Sequence, residues 1–426
     1  MKYSRPRGTH DVTPAEIDRW VEVERAFERA FERYAYRGIR TPIFESTDLF
    51  VRAVGEQSDI VTKEMYTFTD RGGRSLTLRP ENTASVIRAY LENGMHRWGG
   101  IQRLWYTGPM FRYDRPQAGR YRQFHQVGAE AIGSDSPALD AEIIQLVVEA
   151  LGELGFAGVD VRINSVGTEA SRARYRGVLL DAIESVTGEL APEALARYRL
   201  NPLRIFDSKE YGTSLKEKLP LLSDYLVDED RAHFARVKDL MVALQVPFTE
   251  DPHLVRGLDY YTRTVFEVYH GAHGAQSALC GGGRYDTLVA ECGGPNTPAI
   301  GMSAGLERIV EARPATSERD EGAGPRYYIM CAGAGAEARA LQAASVLRAF
   351  GSVEVDVSGR SQKTQLEAAS KKKARAAVLV DASGPEVAWH DLAMRNQVRV
   401  AFGALADHAR KQAGAKSETR RSKRER

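Results

Sequence analysis

Two β-rich runs decide the fold: LWYTGPMFRY at residues 104–113 and QFHQVGAEAI at residues 123–132. The polar segment DRPQAGR, at residues 114–120, joins them. Two runs of this kind, separated by a short polar segment, predict a long antiparallel hairpin. Because the segment carries Arg115 and Arg120, we expect the hairpin loop to be basic.

The hairpin also carries side chains that suit a nucleotide. An arginine held on a strand, such as Arg112, can form two parallel hydrogen bonds with a phosphate. An aromatic side chain such as Phe124 can stack on a purine. The alternative is an exposed hairpin decorated with arginines, which are common on protein surfaces.

Helices are expected on both sides of the hairpin. Residues 13–16, Thr-Pro-Ala-Glu, are typical of a capping box at a helix start. Pro80 is expected to open a second helix, and Ser136-Pro137 a third. Residues from about 168 to 245 are helical and charged in pattern, which indicates an insertion that divides one large mixed α/β domain.

The pattern changes again after the insertion. Strands resume near residues 264–269 and 277–280 and lead into glycine-rich turns. Residues 312–325, rich in Glu, Ser, Gly and Pro, are the best candidate for a linker. Apolar runs separated by helices then predict a compact α/β domain of roughly 80 residues. These runs are residues 327–331, 353–357, 376–380 and 398–402.

Composition excludes several classes of protein. The chain is 43% hydrophobic and 27% charged, as is ordinary for a globular protein. No apolar stretch approaches the roughly 18 residues that a membrane helix needs. Its 3 cysteines are scattered and form no CxxC pair. We therefore expect neither a disulfide framework nor a metal site, and we expect a reducing compartment, the cytoplasm.

The charge is distributed unevenly. The chain has a net charge of +2, but residues 406–426 alone hold eight Lys or Arg against three Asp or Glu. The rest of the chain is therefore slightly acidic, and only this C-terminal tail suggests contact with a nucleic acid. The alternative is a solvated, disordered tail.

Four further clusters can carry chemistry, and each has a structural alternative. Glu81 and Thr83 can bind an ammonium group from two sides, or can cap a helix. In the run RGLDYYTRTVFE, residues 256–267, a buried arginine can neutralise phosphate charge as it develops. The tyrosines of that run can equally be core residues.

The other two clusters are rich in glycine. In CGGGRYD, residues 280–286, three glycines let the backbone approach a ligand closely, although a tight turn has the same need. In GMSAGLER, residues 301–308, a strand end made of small residues enters a helix that carries Arg308. Each cluster alone can be a coincidence, but the order and spacing of all of them point to one site.

This combination resembles the class II aminoacyl-tRNA synthetases and, within them, the histidyl-tRNA synthetase family. The similarity covers about residues 1–405. Residues 38–45 resemble motif 1, which in the family builds the dimer interface; residues 108–126 resemble motif 2, and residues 301–308 resemble motif 3. The stretches that resemble the signatures of the histidine enzymes are residues 256–261 and 281–286.

The resemblance implies a reaction and an architecture. Members of the family activate histidine with ATP, carried with Mg²⁺, to histidyl-adenylate and pass it to the 3'-terminal ribose of histidine tRNA, releasing pyrophosphate and AMP. The implied protein is a homodimer without membrane attachment. The implied α/β (α+β) fold has an antiparallel-sheet catalytic domain at residues 1–325, which contains the insertion, an anticodon-binding α/β domain at residues 326–405, and the tail.

The resemblance also implies roles for individual residues. Arg256 and Arg112 would be catalytic, with Arg256 touching the substrate carboxylate and the α-phosphate where related enzymes use a magnesium ion. ATP would be bound by Arg112, Phe124 and Arg308. Histidine would be bound by Glu81, Thr83, Gln126, Glu130, Tyr261 and Tyr285. The tRNA acceptor end would meet Arg115, Gln117 and Arg120.

Two other interpretations stay open. Residues 333–338, GAGAEA, with Asp356 about 20 residues further on, formally fit a dinucleotide-binding fingerprint. The second is the synthetase-like regulatory subunit of ATP phosphoribosyltransferase, which binds histidine as a sensor. Such subunits tend to lose the histidine-specific stretches and the C-terminal domain, and both are present here.

Overall fold

The structure is a computed structural model that describes residues 3–56, 58–114, 119–186, 191–207, 213–271, 278–313 and 326–412. The described residues form two compact units, one on each side of residues 314–325. In the described part of the chain, no helix combines the length and the apolar character needed to cross a bilayer.

The first unit combines three-layer packing with a helical insertion. Its helices are α1 (Ile17–Arg33), α2 (Thr47–Val54), α3 (Thr83–Glu92), α4 (Pro137–Glu153), α5 (Glu169–Ser185), α6 (Pro192–Leu200), α7 (Arg204–Asp207), α8 (Thr213–Lys216), α9 (Asp228–Ala243), α10 (Leu288–Glu291) and α11 (Leu306–Ala312). Its strands are β1 (Arg37–Gly38), β2 (Phe44–Ser46), β3 (Tyr66–Thr69), β4 (Ser75–Leu78), β5 (Gln102–Phe111), β6 (Gln123–Ile132), β7 (Asp160–Ser165), β8 (Thr249–Glu250), β9 (Thr262–Tyr269), β10 (Cys280–Arg284) and β11 (Ala299–Gly305).

The main sheet is antiparallel at its centre, as expected. Among the described residues it has eight strands in the order β1-β5-β6-β11-β10-β9-β7-β8. The pairs from β5 through to β7 are all antiparallel, and only the short edge strands β1 and β8 pair in parallel. The predicted hairpin is the β5–β6 pair, in register from Gln102–Ile132 to Phe111–Gln123. A smaller sheet has the order β2-β4-β3.

The sheet separates two hydrophobic cores, because successive side chains of a strand point to opposite faces. Val127, Ala129 and Ala131 of β6 pack with helices α1, α4 and α9 on one face. Tyr106 and Met110 of β5 pack on the other face, with α2, α3 and helices α5 to α8 of the insertion. Both faces of the central strands are therefore covered.

Two helix starts form the expected local contacts. The backbone N–H and the hydroxyl of Thr13 both donate to Glu16, at 3.1 and 2.9 Å, although helix α1 itself begins at Ile17. At α4 the Ser136 hydroxyl accepts from the N–H of Ala138 at 3.3 Å, with proline at the first helical position. Proline in a first turn costs no hydrogen bond, since its missing N–H has no partner inside the helix.

Two local expectations are wrong. Helix α3 begins at Thr83 rather than at Pro80, because Glu81 accepts hydrogen bonds from the N–H groups of Thr83 and Ala84 and so caps the helix from outside it. Residues 281–283 do not form turns. They are strand residues of β10, hydrogen-bonded between β9 and β11.

The predicted insertion is helical, with α5 to α9 lying between residues 169 and 243. Asp230 on α9 ties it to the main sheet. Its buried carboxylate accepts from the hydroxyls of Thr168 and Ser171 at 2.8 and 2.6 Å, and from Arg263 on β9 at 3.0 Å.

The second unit is built on a mixed five-stranded sheet in the described residues 326–412, in the order β13-β12-β14-β15-β16. Its elements are β12 (Tyr327–Cys331), α12 (Glu337–Leu347), β13 (Val353–Asp356), α13 (Gln362–Lys371), β14 (Ala376–Val380), β15 (Glu386–Asp391) and β16 (Asn396–Ala401). Strands β14, β15 and β16 are consecutive and antiparallel, so the expected alternation of strands with helices holds only up to β14.

Two details of the second unit bear on the sequence interpretations. Asp356 accepts from Tyr328, Ser358 and Arg360, so its oxygens already have partners within the protein, unlike the free acid that a dinucleotide fingerprint requires. Residues 405–412 are helical and Ala409 is fully buried, whereas the sequence placed the start of the tail at residue 406. Residues 413–426 of the tail lie outside the described part.

Candidate active site

The sequence clusters converge on one cavity of about 730 Å³ on the face of the main sheet that carries Tyr106. It is bordered by the start of α3, the facing ends of β5 and β6, the loop before β9, and the segment where β11 enters α11. The candidate residues that line it are Glu81, Thr83, Arg112, Arg120, Phe124, Gln126, Arg256, Tyr261, Tyr285 and Arg308. Arg115 and Gln117 lie outside the described residues.

Three arginines from three different elements face the cavity. The Nε of Arg112, just after β5, donates to the carbonyl of Pro80 at 2.8 Å, and its guanidinium lies 5.4 Å from the centre of the Phe124 ring. Arg308 on α11 donates to the carbonyls of Gly119 and Ala278 at 3.3 and 2.9 Å. Arg256, in the loop before β9, forms an ion pair with Glu267.

These arginines concentrate positive charge in a shielded place. Burial lowers the pKa of the Arg112 guanidinium, nearby Glu64 and Glu81 partly oppose the shift, and the charge of Arg256 adds to it. Burial also lowers the pKa of Arg308, with further contributions from Arg120 and Arg112. Like charges held together in a poorly hydrated cleft attract a polyanion strongly. The cavity is therefore suited to a ligand with several negative charges.

An acidic corner lies at the start of α3. The Glu81 carboxylate accepts the N–H groups of Thr83 and Ala84 at 2.6 and 3.0 Å, and burial raises its pKa. Across the corner, the amide nitrogen of Gln126 donates to the Ser303 hydroxyl at 3.3 Å. The Gln126 amide oxygen is buried and accepts no hydrogen bond from the described residues. An ammonium group could supply the missing donor.

Glu130 lies directly behind the cavity wall rather than on its surface. Glu130 is 1% exposed, and its carboxyl oxygens accept from the hydroxyls of Thr83 at 2.8 Å, of Tyr106 at 3.4 Å, and of Tyr285. Burial raises the pKa of Glu130 to about 8, and the nearby charge of Glu81 adds to the rise, while the hydrogen bonds from Tyr285 and Thr83 oppose it. A buried acid without a cation beside it is an uncommon and costly arrangement.

Tyr106 is a site residue that was missed in the sequence. It lines the cavity and donates to Glu130. The hairpin register contained the signal, because Tyr106 pairs with Gly128, and Leu104 pairs with Glu130. Directly paired residues of an antiparallel ladder share a face, so Tyr106 and Glu130 point to the same side of the sheet. The small Gly128 leaves room for the Tyr106 ring.

Two glycines are required here by close approach. A Cβ on Gly281 would lie 2.7 Å from the guanidinium carbon of Arg256, and one on Gly301 would lie 1.7 Å from a Glu130 oxygen. Strands β10 and β11 therefore bring bare backbone against the side chains of Arg256 and Glu130. Glu267, the partner of Arg256, also lines the cavity and was not singled out in the sequence.

Within the described residues no group of three or more His, Cys, Asp or Glu side chains is arranged to hold a metal ion. The cavity has arginines on one side and the acidic corner with its hydrogen-bonding groups on the other. This arrangement can bind a phosphorylated ligand beside a small polar molecule that carries an ammonium group.

Comparison with known proteins identifies the family. The family model described as histidyl-tRNA synthetase matches residues 8–309. The chain belongs to the histidyl-tRNA synthetase family. A histidine–tRNA ligase from Thermosynechococcus vestitus is 47% identical over 388 residues, which is 90% of each chain. The crystal structure of apo S. aureus histidyl-tRNA synthetase has a TM-score of 0.79 and 34% identity, and covers 95% of this chain and 99% of that one.

The match confirms the expected class II fold and the expected class of enzyme, an aminoacyl-tRNA synthetase of the histidine family. A structure described as an ATP phosphoribosyltransferase regulatory subunit/histidyl-tRNA synthetase, from Bacillus halodurans C, has a TM-score of 0.67 at 22% identity. It covers 90% of this chain and 100% of that one, and at this identity it bears on the fold alone.

Proposed function

We propose that this cavity activates histidine with ATP and then transfers the histidyl group to the 3'-terminal ribose of histidine tRNA, releasing pyrophosphate and AMP. One observation carries the proposal: Arg112, Arg256 and Arg308 meet at a cavity whose floor is backed by Glu130. The arginines suit a triphosphate, and the acidic floor suits a small polar side chain.

In the proposed complex, Arg112 and Arg308 hold the ATP phosphates and Phe124 stacks on adenine. Each arginine has a carbonyl partner that fixes its position, and each has donors left for a ligand. ATP enters as its Mg²⁺ complex, so the metal arrives with the substrate.

Arg256 takes the central position in the first step. Its ion pair with Glu267 holds the guanidinium at the cavity, where it touches the histidine carboxylate and the α-phosphate. Charge develops on the phosphate oxygens as the carboxylate attacks in line. A cation already in place stabilises that charge without reorganisation, the role that a metal ion often plays.

Histidine is held at both ends. Its ammonium group is bound by Glu81, Thr83 and Gln126, whose buried amide oxygen otherwise has no donor among the described residues. Its imidazole is bound by Tyr261 and Tyr285 at the cavity wall, and Glu130, which lies behind that wall, acts through the hydrogen bond that it accepts from Tyr285. A ligand without ring nitrogens would lose these hydrogen bonds, and selection against such a ligand can reach factors on the order of 10⁴.

The second step needs positioning more than a new catalytic group. The terminal ribose hydroxyl of the tRNA attacks the acyl carbon of the adenylate and AMP leaves. Holding both reactants in line supplies most of the rate enhancement, so no protein nucleophile is required. Arg115, Gln117 and Arg120 in the β5–β6 loop would contact the tRNA acceptor end. Of these, Arg120 lies at the cavity and pairs with Asp114 at 3.2 Å.

Two further parts of the function concern surfaces outside the cavity. The second unit would bind the anticodon, with the lysines at residues 371–373 as candidate phosphate contacts. A homodimer would form through the motif 1 region, where Ile43 and Phe44 are 44% and 47% exposed, together with Phe68, whose ring contacts Phe44 and which is 44% exposed. Exposed aromatic and aliphatic side chains that lie together mark an association surface. We place the enzyme in the cytoplasm.

The test is pyrophosphate exchange. Purified protein with ATP, Mg²⁺ and each of the twenty amino acids in turn should exchange labelled pyrophosphate into ATP with histidine alone. A histidine sensor would bind histidine and exchange nothing. Folded protein that shows no histidine-dependent exchange rejects the proposal.

A further inference from the structure

The loop that carries Arg256 is a thin wall between two cavities. A second cavity, of about 310 Å³, lies on the insertion side of this loop. Val255, Arg256, Leu258 and Tyr261 border both the second cavity and the main one. The loop packs on a hydrophobic core through Leu254, Tyr260 and Tyr261, but on both sides of it the cavities leave room for Arg256 to move.

Polar contacts also fix the position of the loop, and the one nearest to Arg256 is at Asp259. At the loop's beginning, the Asn164 amide donates to the carbonyl of Leu254 at 2.9 Å. At its end, the Asp259 carboxylate accepts from Arg204 at 2.7 Å and from Asn201 at 3.2 Å. Both partners belong to the helical insertion, so the insertion supplies an anchor for a loop of the reaction centre.

The end of α2, in the first part of the chain, also contacts Asp259. The Asp259 N–H donates to the carbonyl of Val54 at 3.4 Å. A Cβ on Gly55, the residue that ends α2, would lie 2.4 Å from an Asp259 carboxylate oxygen. Gly55 also has a φ of +99°, which side-chain-bearing residues rarely adopt. The carboxylate is therefore confined between Gly55 and Arg204.

We infer that Arg204 is a positioning residue for adenylation: through its ion pair with Asp259 it fixes the loop that presents Arg256 to the α-phosphate. The inference rests on the proposed role of Arg256. Glu267 holds the guanidinium end of Arg256, and the Asp259–Arg204 ion pair holds its main chain three residues away. With the main chain released, Arg256 keeps its partner but loses the geometry needed in the transition state.

The experiment is a double-mutant cycle on the full chain. Arg204→Ala and Asp259→Asn are each expected to lower kcat of histidine-dependent pyrophosphate exchange about tenfold, because a small misplacement of a catalytic group costs one to two orders of magnitude. The KM values for ATP and histidine should change less than about twofold. The double variant should be no slower than the slower single variant, because both changes remove one interaction.

Three more variants complete the design. Arg199→Ala is the matched control, because Arg199 forms its ion pair with Glu184 inside the insertion and should leave kcat unchanged. Gly55→Ala should lower kcat by displacing Asp259 from the opposite side. Arg204→Lys keeps a charge that can reach Asp259 and should recover part of the rate, which also covers the case in which Arg204→Ala is unstable.

The outcomes separate cleanly. Arg204 also borders the main cavity, so a direct contact between Arg204 and the substrate is the competing explanation. If the kcat loss of the double variant equals the product of the two single losses, Arg204 acts directly on the substrate and the inference is overturned. Unchanged kcat in the single variants, or an equal loss in Arg199→Ala, would overturn it too. Absence of exchange in the unmodified protein, or full exchange by Arg256→Ala, would instead reject the proposed role of the site.

Discussion

Replacement of Arg256 by alanine tests the proposed chemistry most directly. Arg256 is 22% exposed and its partner Glu267 is 16% exposed, so both charges lie in a partly shielded setting. A cation at contact distance from a phosphate oxygen contributes about 4 kcal/mol at an effective dielectric constant of about 20. Since about 1.4 kcal/mol is a tenfold change, and the α-phosphate is already charged before the reaction, we expect kcat/KM for ATP in adenylation to fall by roughly 10³.

The measurement separates the rate from the affinity. Single-turnover formation of histidyl-adenylate gives the chemical rate, and equilibrium dialysis with labelled histidine in the absence of ATP gives the dissociation constant. The affinity for histidine should change by less than about tenfold, because the contacts assigned to the ammonium and the imidazole remain. Equal losses in rate and affinity would contradict a contact that is strongest in the transition state.

A second variant removes an ambiguity. Alanine at position 256 leaves the Glu267 carboxylate without its guanidinium, and this stray negative charge beside the phosphates would itself slow the reaction. The variant Arg256→Ala/Glu267→Gln removes that charge. If this double variant regains most of the lost rate, the loss came from the unpaired Glu267 charge rather than from the missing arginine, and Arg256 does not stabilise the charge on the α-phosphate.

Two other predictions concern the acidic floor and the proposed dimer surface. The pKa of Glu130 in the folded protein, about 8, lies above its ordinary value of 4.5, so its contribution to stability is present below pH 4.5 and is lost as the pH rises through 8. Relative to Glu130→Gln, the unmodified protein should therefore lose up to about 1.4 kcal/mol of unfolding free energy per pH unit between pH 5 and 8. Denaturant unfolding at several pH values measures this. If the unfolding free energies of the two proteins change in parallel with pH, Glu130 is not protonated in the folded protein. Phe44→Glu should weaken the dimer by at least about 100-fold in sedimentation equilibrium, since burial of a phenylalanine contributes roughly 1.5–3 kcal/mol and each dimer contains two copies. An unchanged dimer would place the interface elsewhere.

The elements that could be predicted from the sequence depend on local rules. The β5–β6 hairpin follows from two β-rich runs around a polar segment, and the α4 start follows from Ser136 and Pro137, whose effects act within one helical turn. Local rules do not predict the conformation of residues 281–283. Glycines permit both turns and extended strands, and only the neighbouring strands β9 and β11 decide between them.

The site residues also fall into those that could be predicted from the sequence and those that could not. The sequence motifs identified the arginines and the acids, because those residue types suit charged ligands wherever they occur. The contacts of Tyr106 with Glu130, and of Arg204 with Asp259, join residues that are 24 and 55 positions apart. Such pairs become visible only with a strand register or a packed insertion. Strand β15 was not predicted because its sequence mixes polar and apolar residues. It forms an inner strand because β14 and β16 pair with it on both sides.

The cluster of arginines has a consequence for handling the protein. Arg112 and Arg308 lie close enough together that each disfavours the other's charge, and an anion between them removes that penalty. Inorganic phosphate, sulfate and pyrophosphate should therefore raise the melting temperature of the protein and compete with ATP. Kinetic constants measured in a phosphate buffer will underestimate the affinity for the nucleotide, and a buffer with a bulky, weakly charged anion is the better choice.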